Sequence, residues 1–200
     1  MFVARILYPI EVLGPGKRVG IWFAGCPRRC RGCSNPELWE KDPRYLTTPE
    51  TVADLVFRIA KDHKIDGFTF TGGDPMMQYD ALMTLIPLLA PISRDVLVYT
   101  GAFLEELPPL YGITALIDGE YREEENLCHP LIGSMNQRFF LLDEAYRVRY
   151  RRYLKSLDPT ASPIQNFHAA DGHISVGIHR PAFLRTTKTL PNTTKRKDNL

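Results

Sequence analysis

The chain has 200 residues, 44% of them hydrophobic and 24% charged, with a formal net charge of +2. Such a composition fits a globular chain of one ordinary domain, or a domain with a tail, and excludes disordered, collagen-like and disulfide-rich classes. At this length roughly 70% of the unfolded surface can be buried without disulfide staples.

In chain order, the N-terminal apolar run is cut short by Glu11 and the Gly14-Pro15-Gly16 turn, so no secretory segment is read there. A reducing cytoplasm is the expected compartment, where cysteines are read first as metal ligands or catalysts. Residues 19–24 (VGIWFA) predict a buried strand ending at Gly25, with Trp22 and Phe23 in the core. Thr47 or Thr48 can cap a helix with Pro49 in its first turn, its apolar stripe being Val52, Leu55, Val56, Ile59 and Ala60. Residues 67–71 (GFTFT) predict a strand stopped by Gly72-Gly73. An apolar helix follows over 79–89, with Pro87 marking a kink or an early end. Further strands are expected at 96–99, 113–117 and 137–142, the last followed by a charged helix over 144–154. HISVGIHR at 173–180 adds a further candidate strand. The longest apolar stretch, 81–92, contains Thr84 and Pro87 and is too short to span a bilayer, so no membrane partner is expected.

Strands alternating with helices predict an α/β fold with a parallel sheet. Ligands of such sheets sit beyond the carboxyl ends of the strands. Three unusual segments each follow a strand: the cysteines after VGIWFA, Gly-Gly-Asp after GFTFT, and Thr100-Gly101 after VLVY. They are expected to converge on one rim. From Arg180 onward six basic residues stand against Asp198, a net of +5 within the +2 total. That end, about residues 181–200, reads as a solvated, flexible basic tail, and nucleic acid is not expected as a partner.

Cys26, Cys30 and Cys33 lie within GCPRRCRGCSN as C-x3-C-x2-C. Soft sulfur ligands grouped so tightly point to zinc or an iron–sulfur cluster. Only three are local, so either Cys128 closes the site, for instance in a zinc knuckle that also takes His129, or one metal position stays open for chemistry. Arg28, Arg29 and Arg31 suit the negative charge of a thiolate-bound cluster. His63, His129, His168, His173 and His179 show no ligand spacing, and none is assigned to a metal.

The C-x3-C-x2-C spacing is that of the radical S-adenosylmethionine (SAM) enzymes, and GPGKRVGIWFAGCPRRCRGCSNPELW resembles the start of their small activating enzymes. Within that family it is most similar to the anaerobic ribonucleoside-triphosphate reductase activases, and next to the pyruvate formate-lyase activases. TGGDP at 71–75, VYTG at 98–101, Asp118-Gly119 and GSMNQR at 133–138 follow in the family's order. The likeness runs from about residue 5 to 142. It implies an incomplete, TIM-like barrel of five or six parallel strands over 1–156, with an extension over 157–200. It also implies a 4Fe–4S cluster on Cys26, Cys30 and Cys33 whose open iron is chelated by SAM, which leaves Cys128 a free thiol. SAM would lie near Gly32 and Ser34, with its amino group at Gly72, Gly73 and Asp74, and Thr100 would line its adenosine side. Ser134, Asn136, Gln137 and Arg138 are offered as contacts to SAM or to a partner's peptide. Asp74 stands where many members carry glutamate.

The activity implied is reductive cleavage of SAM to a deoxyadenosyl radical that abstracts hydrogen from a glycine of a large glycyl-radical enzyme, with a flavodoxin or ferredoxin as electron donor. The alternatives are a radical SAM enzyme acting on another peptide, nucleic acid or small molecule, or a non-enzymatic zinc or iron–sulfur module.

Overall fold

The computed structural model describes residues 1–127, 129–158, 163–169 and 172–179. Cys128 and the basic end from Arg180 lie outside the described residues. A six-stranded sheet forms the centre, in the order β1 (Val3–Ile10), β2 (Arg18–Phe23), β3 (Gly67–Gly72), β4 (Val96–Tyr99), β5 (Ala115–Asp118) and β6 (Arg138–Leu141). β2, β3, β4 and β5 run parallel. β1 and β6 lie antiparallel on the two edges. The expectation of five or six parallel strands is thus corrected to four with two antiparallel edges. The link from Ile10 to Arg18 is too short for a parallel crossover, which needs a dozen residues or more, so β1 can only fold back on β2.

The crossovers are α1 (Pro49–Asp62) between β2 and β3, and α2 (Tyr79–Leu89) between β3 and β4. Thr48 caps α1 by accepting the Thr51 N–H at 3.2 Å, and Pro49 opens the first turn, where its missing N–H costs nothing. Pro87 sits inside the last turn of α2, which ends at Leu89. Leu55, assigned to the apolar stripe of α1, is 43% exposed, and Ala53 takes the buried place.

Strand alternation divides the core. Val19, Ile21 and Phe23 of β2 face the helices and pack with Val56, Phe68, Phe70, Leu82 and Val98. Trp22 faces the other way, onto Ile10, Leu38 and Val176. That second face is covered by C-terminal elements. α3 (Arg147–Ser156) brings Tyr150 against Leu97, Ala115 and Ile117. The hairpin β7 (Gln165–Ala169) and β8 (Gly172–Val176) brings Val176, Phe167 and Ile174 against the Trp22 group.

Beneath this face, at the amino end of β2, Arg18 is fully buried. Its guanidinium donates to Thr69 Oγ1 (2.8 Å), Phe68 O (2.5 Å) and Asp95 Oδ1 (3.1 Å). Tyr150 OH of α3 donates to the same Asp95 oxygen at 2.7 Å, and Arg149 pairs with Oδ2 at 2.8 Å. No helix among the described residues is long and apolar enough to cross a membrane.

Candidate functional site

The carboxyl ends of the four parallel strands open into one cavity of about 160 Å³. After β2 it is lined by Cys26, Arg28, Cys30, Cys33, Ser34 and Asn35; after β3 by Gly72, Gly73 and Asp74. Tyr99, Thr100 and Gly101 follow from β4, and Gly119, Glu120 and Tyr121 from β5. The three segments expected on one rim therefore meet, as the strand-end rule requires. Gly32, Asn136 and Arg138 do not line this cavity.

The start of the cysteine loop is held on two sides. Gly25 N–H donates to Leu38 O and Cys26 N–H to Trp39 O, both at 2.8 Å, so the returning chain is stitched to the loop. On the other side Gly73 N–H donates to Phe23 O (2.7 Å) and Asp74 N–H to Gly25 O (3.2 Å). This approach explains the glycine pair. A Cβ on Gly72, whose φ is +100°, would stand 2.6 Å from Phe23 O, and one on Gly73 would stand 2.8 Å from Gly25 O. Both obstacles are backbone and cannot swing aside.

Asp74 is buried and its carboxylate is turned inward. It accepts from Thr100 Oγ1 (2.9 Å), from Met76 N–H (3.0 Å) and from Gly101 N–H (3.1 Å). Arg28 Nε lies 3.6 Å from Oδ2. With these donors already placed, Asp74 ties the ends of β3 and β4 to the cysteine loop and holds the glycine turn. The arginines between the cysteines are likewise paired: Arg28 with Asp74, Arg29 with Glu40 and Arg31 with Glu123. Their charge pins the loop to three other segments rather than standing open.

None of the three thiols is in a disulfide. Burial pushes the Cys30 thiol up, a main-chain bond from Tyr121 opposes it, and the neighbouring Cys33 and Cys26 thiols add to the rise. Burial also pushes Cys33 up, opposed by the Asn35 N–H, 3.4 Å from its sulfur, and by the Trp39 indole. The indole stands beside that sulfur, but among the described residues its buried Nε1 finds no acceptor at hydrogen-bonding geometry. Among the described residues no three His, Cys, Asp or Glu side chains close on a single metal ion. A 4Fe–4S cluster instead offers a separate iron to each sulfur. Three unbridged thiols on one cavity wall, close enough to raise one another, with main-chain N–H groups directed at two of them, fit such a cluster.

GSMNQR folds largely on itself. Gln137 Oε1 accepts from Gly133 N–H (2.9 Å) and Ser134 N–H (3.2 Å), and Gln137 with Gly133 lines the cavity. Ser134 Oγ donates to Asn136 Oδ1, and Asn136 Nδ2 donates to Glu120 O, both at 2.8 Å. Arg138 pairs with Asp118 across the β5–β6 ladder and with Glu105, and these two carboxylates hold its guanidinium well above the usual range. Tyr121 and the pair Ile178–His179 also line the cavity without having been singled out from the sequence. Tyr121 could have been found, since it follows the Asp118-Gly119 strand end. His179 could not, because it lies far along the chain in no ligand spacing.

The 4Fe–4S single cluster domain family matches residues 12–140. The chain is 34% identical over 145 residues to the anaerobic ribonucleoside-triphosphate reductase-activating protein of Enterobacteria phage T4, covering 67% of this chain and 90% of that protein. It is 31% identical over 131 residues to the protein of that name from Vibrio cholerae, covering 59% and 83%. Against the pyruvate formate-lyase-activating enzyme of Clostridium pasteurianum it is 35% identical over 77 residues, 38% of this chain and 32% of that one. With its cysteine triad, glycine turn and strand ends gathered on one rim within the matched span, the chain belongs to the radical SAM activating-protein family, through its 4Fe–4S single cluster domain.

Proposed function

We propose that the chain activates a glycyl-radical enzyme, an anaerobic ribonucleotide reductase by the names of its relatives, using a 4Fe–4S cluster and SAM bound in the rim cavity. The observation that carries this reading is the single cavity shared by Cys26, Cys30, Cys33, the Gly72–Gly73 turn and Thr100. Held there and reduced, a 4Fe–4S cluster would supply the electron for cleaving SAM to methionine and a deoxyadenosyl radical, the species able to take a hydrogen atom from a glycine Cα of the partner.

The chain's own residues bind and orient. Cys26, Cys30 and Cys33 would each hold one iron, and the main-chain N–H groups of Asn35 and Tyr121 steady two of those sulfurs. The SAM amino group would be received by main-chain carbonyl oxygens of the glycine turn, while Asp74, with its carboxylate engaged, positions that turn. Ser34 and Thr100 line the same cavity and would flank the SAM molecule, with Gly32 giving the loop its turn at φ +73°. Asn136 and Arg138 act one step back, holding the 133–138 loop and the β5 end.

The sheet is read as a partial barrel within a 1–156 radical SAM unit, completed by an extension over 157–200. A flavodoxin- or ferredoxin-type donor and a cytoplasmic setting, where thiolates survive to take iron, complete the reading. The test is anaerobic reconstitution, reduction with dithionite, and assay for deoxyadenosine and methionine. Cys30→Ala should lose both bound iron and SAM cleavage, whereas Cys128→Ala should keep both. Equal loss in the two variants would show that four cysteines close the cluster, and the mechanism would fall.

A further inference from the structure

Two residues of the cavity wall come from beyond the span that the family match covers, which ends at residue 140. Ile178 and His179 follow β8 directly and enter the cavity from the C-terminal hairpin. Their placement is built from both ends. At the start of the hairpin, Gln165 donates through Nε2 to Pro9 O (2.6 Å) and accepts from Glu11 N–H (3.1 Å), which fastens β7 to the end of β1. Along its length Phe167, Ile174 and Val176 pack with Trp22 and Leu38 beneath the cysteine loop. At its end the His179 ring Nε2 lies 2.9 Å from Ser175 Oγ, and the His179 carbonyl accepts from Asn126 Nδ2 at 3.3 Å. His179 is 6% exposed, so its imidazole is committed to the interior.

His179 also borders a second, larger groove of about 740 Å³ between β8 and the stretch after Cys33. The groove and the rim cavity share Ser34, Asn35 and His179. His179 therefore stands in the partition between the rim cavity and an open groove. A ring whose charging is disfavoured by burial adds little positive charge beside the SAM sulfonium, and the Arg28 guanidinium on the same cavity wall is paired with Asp74.

We propose that the C-terminal hairpin is a built-in wall of the SAM site and that His179 is a SAM-binding residue supplied from outside the shared family core. This rests on the proposed SAM chemistry of the cavity. The hairpin then shuts water out on the side where the parallel strands end, and leaves the partner's glycine to approach from elsewhere on the rim.

The full-length chain, reconstituted without oxygen, is titrated with SAM while the reduced cluster's electron paramagnetic resonance spectrum is followed. Iron and sulfide content are measured separately. His179→Ala is expected to weaken SAM binding roughly tenfold, the scale of one buried polar contact, with iron content unchanged. His179→Gln should recover part of that loss. His173→Ala, exposed on β8 and lining the groove but not the rim cavity, should bind SAM as the parent does. Binding by His179→Ala within twofold of the parent would overturn the proposal. So would loss of iron in His179→Ala, or an equal loss of SAM binding in His173→Ala. A parent chain that assembles its cluster but binds no SAM would instead bring down the proposed function, and this inference with it.

Discussion

At Gly73 a single methyl group decides whether two motifs can meet. Gly73→Ala would press its Cβ to 2.8 Å from Gly25 O and 3.0 Å from Gly25 N, where the backbone has no room to yield. A loss of about 2 kcal/mol is expected, read from thermal unfolding, with iron uptake reduced alongside. The cysteines and the glycine pair were legible from the sequence because their chemistry or conformational need is local. Asp74 was legible in place but not in orientation. Its carboxylate is claimed by Thr100 and Gly101, partners more than twenty residues away that no local pattern announces.

Among elements, the strand ends carried the inference. β2, β3 and β4 were readable from short β-branched and aromatic runs closed by glycine or Thr-Gly, and the rule that ligands lie beyond strand ends put their loops together before any contact was known. The direction of the edge strands was not readable, since pairing sense depends on link length and on what covers the sheet. The loop after Cys128 offers a test at this scale. His129 Nδ1 accepts the N–H groups of both Leu131 and Ile132 at 3.1 Å, which requires the neutral ring, and burial lowers its pKa below the ordinary 6.5. The neutral form is favoured in the folded chain, so this contribution is complete above pH 6.5 and is lost as pH falls through the folded-state value. A ring titration by nuclear magnetic resonance should give a midpoint below 6.5. A midpoint at or above 6.5 would remove the argument. Docking of α3 has its own probe in Asp95, which meets Arg18, Tyr150 and Arg149. Asp95→Ala would leave Arg18 buried without its counter-charge and should destabilise the fold by about 3–5 kcal/mol in denaturant melts.

For the whole molecule, the C-terminal third is where sequence reading fell short. Its helix and one strand of its hairpin were foreseeable, but their destination was not, because nothing in 147–179 states which face of a distant sheet it will cover. They cover the face opposite α1 and α2, over Trp22 on one side and Leu97 with Ile117 on the other.

The two-sided stitching of Gly25 and Cys26 carries a consequence for maturation. Four main-chain hydrogen bonds and the ion pair from Arg28 to Asp74 fix the mouth of the cysteine loop without calling on any sulfur atom. A zinc finger, by contrast, is a coil until its metal arrives. Here the chain should fold first and take up iron into a ready seat. Chelator-stripped protein should keep its far-ultraviolet circular dichroism and its cooperative melt, and should accept iron and sulfide again without passing through an unfolded stage.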